Sequence, residues 1–121
     1  MIFKDYNPSD EKGACVIRSF SKLFNYDFYE MKEELLKFVK DNNYNSYNDI
    51  EAFEGYLLNN GYKKLDMNEE VIKDLNIEHK KCAIFCHKDD FYHMISVIDG
   101  VVYDKDDRCL ELNAIKMYYL D

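Results

Sequence analysis

A chain of 121 residues with a net charge of -8, nearly half apolar and rich in tyrosine (11) and phenylalanine (8), has the composition of one folded domain spanning 1–121. Its lysines are scattered among more numerous carboxylates, so no basic stripe forms, and no nucleic-acid partner is expected. No segment approaches the ~18 apolar residues of a membrane span, and the N-terminus MIFKDYNPSD lacks the apolar core of a secretory signal. These features predict a cytoplasmic protein without a membrane partner, whose four cysteines act as core, metal ligand or catalyst rather than as disulfides.

In chain order, a loop through Asn7, Pro8, Ser9 and Asp10 precedes apolar residues at helical spacing: Val16, Ile17, Phe20, Leu23 and Phe24. Gly13 stands just before them, so the helix begins near Ala14 or Cys15. A second helix opens with Asp27 followed by Glu30, the spacing of a capping box, and carries Phe28, Met31, Leu35, Phe38 and Val39 on one face. A third begins after Asn48 and ends at Gly61, with Phe53, Tyr56, Leu57 and Leu58 as its apolar residues. A short helical turn is expected around Glu69 to Leu75.

From Lys81 the period changes. Cys82 to His87, Tyr92 to Ile98 and Val101 to Asp104 are short runs rich in β-branched and aromatic residues, with Met117 to Leu120 as a last edge strand. Asp99-Gly100 between two such runs signals a two-residue hairpin loop. Helices followed by strands predict an α+β domain, with an N-terminal helical layer packed on a small antiparallel sheet.

Cys15 falls in the first turn of its helix and to one side of the apolar stripe. There the helix dipole and free N–H groups favour thiolate over thiol. If Asp99-Gly100 closes a two-residue hairpin, Ile95 lies opposite Asp104 and His93 opposite Asp106. Alternation then puts His93, Asp104 and Asp106 on one face, both carboxylates within reach of the imidazole. A thiol, a base that reaches it and an acid that orients the base are what nucleophilic thiol chemistry requires. A zinc reading of His79, Cys82, Cys86, His87 and His93 fits poorly: Cys82 and Cys86 on one strand lie about 13 Å apart, too far to share one ion. Cys109 sits among charges with no evident partner.

The stretches Gly13-Ala14-Cys15-Val16-Ile17-Arg18-Ser19-Phe20 and Phe91-Tyr92-His93-Met94-Ile95-Ser96-Val97-Ile98-Asp99-Gly100-Val101-Val102-Tyr103-Asp104 resemble papain-like cysteine peptidases. The likeness is to compact microbial and phage-type members, with a layout similar to the double-glycine leader peptidases. The resemblance implies a papain-like fold, Cys15 as nucleophile, His93 as base and Asp104, rather than Asp106, as the orienting acid. It further implies a protein or peptide substrate, cleaved at a peptide or isopeptide amide, and no cofactor. An inactive binding module, or an acyltransferase or deamidase, is the alternative on the same scaffold. Such enzymes carry a glutamine ahead of the cysteine as oxyanion donor; this chain contains none, which leaves Asn7 as the candidate amide, with Ala14 where relatives often carry Asp.

Overall fold

A computed structural model describes residues 1–121. The elements run β1 (Ile2–Asp5), α1 (Cys15–Phe24), α2 (Phe28–Asp41), α3 (Ile50–Asn59), β2 (Lys63–Asp66), β3 (Lys81–Lys88), β4 (Phe91–Ile98), β5 (Val101–Asp104) and β6 (Asn113–Leu120), with 3₁₀ turns at Ile72–Asp74 and Asp107–Glu111. The fold is α+β, three helices on a six-stranded sheet of order β1-β5-β4-β3-β6-β2.

The sheet corrects the expectation of an all-antiparallel one. It is mixed, because β1 pairs with β5 in parallel while every other neighbour is antiparallel. β6 is also no edge strand: it lies between β3 and β2. The run from Glu69 to Leu75 contributes only the 3₁₀ turn at Ile72–Asp74.

The local signals act where physics gives them a single outcome. Gly13 takes φ +67°, a left-handed conformation an L side chain rarely adopts, and sets the entry into α1. Asp27 caps α2 by accepting from the Tyr29 N–H at 3.1 Å. Asp99 and Gly100 both have positive φ, 51° and 79°, as a two-residue hairpin loop demands. Ile98 accordingly faces Val101, Val97 faces Val102 and Ser96 faces Tyr103.

Apolar clusters cover both faces of the sheet. One, of 15 residues, joins Ile17, Phe20 and Leu23 of α1 to α2, α3 and the sheet residues Ala83, Met94 and Tyr118. The other, of 11 residues, buries Ile84, Ile95, Val97 and Val102 beneath the 3₁₀ turns that carry Ile72 and Cys109. The helices therefore form one of two covering layers. Because α1 is wedged between the sheet and α2, almost its whole circumference is buried, including Arg18, Ser19 and Ser21.

Candidate active site

β5 pairs with β4 only over Ser96 to Ile98, so residues 91–95 of β4 have no strand on that side. An unpaired strand edge must find other hydrogen-bond partners once buried. Here α1 supplies them. Ser19 Oγ donates to the Met94 carbonyl at 2.9 Å, and the Met94 backbone lies close enough to the Cys15 sulfur to lower its pKa. The first turn of α1 thus lies against the strand that carries His93.

This arrangement brings three of the five residues singled out in the sequence together. The Cys15 thiol and the His93 imidazole line the same cleft, close enough that each shifts the other's pKa. On its far side, His93 Nε2 donates to Asp104 Oδ2 at 2.6 Å. With Nε2 so engaged, Nδ1 is the ring nitrogen left to face sulfur. Asp104 Oδ1 accepts from the Lys105 backbone N–H at 2.8 Å and from Arg18 Nη1 at 3.3 Å. The Cys109 thiol lies close to the Asp104 carboxylate, a neighbour its sequence context does not reveal, and that charge adds to the burial that raises its pKa.

The two other positions lie elsewhere. β5 ends at Asp104, so the expected pairing of His93 with Asp106 does not form. Asp106 instead caps the following 3₁₀ turn and binds Arg108 in a bidentate pair, which lowers its carboxyl to about 2. Asn7 is exposed; its amide donates to Asp10 at 3.5 Å, and it does not line the cleft at Cys15.

Electrostatics separate Cys15 from the other thiols. Burial pushes its pKa up, but the His93 hydrogen bond and charge, the Met94 N–H and the Arg18 charge outweigh that, so the thiol lies below its ordinary value. For His93, burial pulls down, while the hydrogen bonds and charges of Asp104 and Cys15 pull up harder and raise it from 6.5 to about 9. Together these shifts favour a thiolate–imidazolium pair. Burial raises Cys82 to about 12 and drives Cys86 and Cys109 higher still, leaving them neutral. No group of three or more His, Cys, Asp or Glu residues is arranged to hold a metal ion.

A cleft of about 480 Å³ opens on Cys15 and His93. Its walls are apolar (Val16, Ile50, Phe53, Phe85, Tyr92 and Met94), and Asn48 brings its one side-chain amide. Asn48 Nδ2 also donates to the Gly13 carbonyl at 3.2 Å, tying the loop before α3 to the start of α1. Phe91 stacks on the His93 ring, with centroids 5.6 Å apart. A second cleft of about 600 Å³, lined by charges of both signs including Lys88, Lys105 and Glu111, contains none of Cys15, His93 and Asp104.

Arg18 and Asn48 are not among the residues whose chemistry the sequence singles out. Arg18 left a signal, a lone cation in the otherwise uncharged run Val16-Ile17-Arg18-Ser19-Phe20, one turn beyond Cys15. Asn48 left none, since only folding brings its loop to Gly13.

Comparison with protein-family models, with curated proteins and with solved structures finds no match for this chain. The functional reading therefore stands on its own residues.

Proposed function

We propose that this chain is a papain-like thiol hydrolase that cleaves a peptide or isopeptide amide, with Cys15 as nucleophile, His93 as acid–base and Asp104 as the residue orienting the histidine. The observation that carries the reading is the file formed by the Cys15 thiol, the His93 ring beside it in the same cleft, and the Asp104 carboxylate bonded to that ring. Of the four thiols, the one in that file is the one held below its ordinary pKa.

In this mechanism the Cys15 thiolate attacks the acyl carbon, and the carbonyl electron pair moves onto oxygen. The N-terminus of α1 has no side-chain cap, so the Cys15 N–H is free to donate to that oxyanion, and Asn48 offers an amide in the same cleft. The C–N bond then breaks as His93 Nδ1 delivers its proton to the departing amine, leaving a thioester on Cys15. Water, deprotonated by His93, attacks the thioester carbon, the C–S bond breaks to release the carboxylic acid, and Cys15 and His93 return to their starting state; an amine in place of water gives transfer instead. Asp104 holds the imidazole in the required tautomer and stabilises the imidazolium throughout. The apolar cleft walls favour a substrate that brings an uncharged segment to the sulfur.

Limiting iodoacetamide at neutral pH, read by intact mass and peptide mapping, tests the assignment. A single adduct at Cys15 is expected, formed ~10-fold or more slower in His93→Ala as the thiolate fraction falls. Equal, slow labelling of all four cysteines, unaffected by His93→Ala, would instead indicate an inactive binding module.

A further inference from the structure

The side chains of Arg18, His93 and Asp104 are almost fully withdrawn from water, the residues being 3%, 7% and 2% exposed. Cys15 beside them is half-buried. Were Cys15 and His93 an ion pair over an ionised Asp104, those three alone would leave one uncompensated negative charge in a low-dielectric site, an arrangement that strongly opposes ionisation. The Arg18 guanidinium is the fourth charge and brings the sum to zero. We infer that Arg18 is a positioning residue whose guanidinium supplies the positive charge that lets Cys15, His93 and Asp104 be ionised together. This inference rests on the reading of Cys15 as a nucleophile.

The geometry favours charge balance over simple cohesion. Arg18 makes one side-chain bond to Asp104, long at 3.3 Å, and its Nε is buried with no partner at all. A buried pair so incompletely hydrogen-bonded stabilises a fold poorly. What the guanidinium does provide is a permanent charge, since arginine does not lose its proton in this setting. It takes Oδ1 of Asp104 and leaves Oδ2 for His93 Nε2, which fixes the carboxylate plane against the ring. From its place one turn beyond Cys15 it also acts on the sulfur directly. Cys86 of β3 and Cys109 of the 3₁₀ turn, both neutral thiols, also face this cluster. Neither offers an alternative counter-charge.

The test is the rate of Cys15 alkylation by iodoacetamide as a function of pH, which needs no substrate. Wild-type protein is expected to show a thiolate onset below the free-cysteine value of about 8.5. Arg18→Met should move that onset to the alkaline side by ~1 unit or more, about tenfold slower labelling at a fixed acidic pH. Arg18→Lys, which restores the charge without the planar fork, should recover most of the loss. A folded Arg18→Met protein with the wild-type onset overturns the inference. If Arg18→Met does not fold because Asp104 is left unpaired, the comparison moves to Arg18→Lys against Arg18→Gln, where the first keeps the charge and the second keeps only a hydrogen-bond donor for Asp104. The inference predicts the more acidic onset in Arg18→Lys, and equal onsets overturn it. An ordinary onset in the wild type would remove the nucleophile reading and this inference with it.

Discussion

His93 and Asp104 meet diagonally across the mouth of a hairpin, not as a paired cross-strand couple. The register that sets Ser96 against Tyr103 would place Asp104 opposite Ile95, yet His93 Nε2 bonds to Asp104 Oδ2 at 2.6 Å. The diagonal contact forms where β4 and β5 stop pairing and α1 enters the gap. One carboxylate thereby serves two partners from two elements, His93 on β4 and Arg18 on α1.

Asp104 should therefore matter for stability as well as for orientation. Asp104→Ala strands the Arg18 charge in the interior, and breaking one half of a buried pair in this way costs about 3–5 kcal/mol. Asp104→Asn, which keeps hydrogen-bonding capacity at that position, should cost less. Urea denaturation of the two variants checks the ordering; equal small losses would show that the pair carries little folding energy.

The His93 shift fixes the sign of a pH effect. Its folded pKa, about 9, lies above its ordinary 6.5. Its contribution to stability is thus fully present below 6.5 and is lost as pH rises through about 9. Because tyrosines and lysines titrate on the alkaline side too, the informative quantity is the difference between wild type and His93→Gln. That difference should shrink between neutral pH and pH ~10 in denaturant titrations. Hydrolysis, once a substrate is in hand, should show an alkaline limb near the same pH. A difference independent of pH would contradict the ionised pairing of His93.

Much of this could be read from sequence where a local signal was decisive. Asp99-Gly100 announced the hairpin, and with it the face shared by His93 and Asp104. Gly13 marked the start of α1. Non-local pairing was not legible. Ile2–Asp5 is a four-residue, largely exposed strand with no clear alternation, and its partner β5 begins at Val101. Lys63–Asp66 is exposed at every position and forms the sheet edge. β6 extends back to Asn113, beyond the apolar run that starts at Met117; Asn113 and Lys116 interrupt its pattern, and a register shift between Phe85 and Cys86 accommodates it. In the site, the uncharged neighbours of Arg18 hint that it is buried, but nothing local names its partner 86 residues away.

The placement of α1 against β4 depends on packing that can be tested separately from chemistry. Phe20 is fully buried, stacks on Tyr56 of α3 at 5.8 Å and meets Phe24 edge-on at 5.9 Å. Phe20→Ala should cost about 3–5 kcal/mol, the transfer loss plus the cavity left behind. The same urea titration reads it out. A loss under about 1 kcal/mol would mean that α1 is not held by this cluster.

The central claim is that Cys15 rests as a thiolate beside a protonated His93, and its ultraviolet thiolate absorbance, taken as wild type minus Cys15→Ser across a pH titration, measures this most directly. The account predicts a signal already present well below the ordinary cysteine pKa of about 8.5, shifted back to or above that value in His93→Ala. A wild-type difference signal that first appears at or above the ordinary value would contradict it.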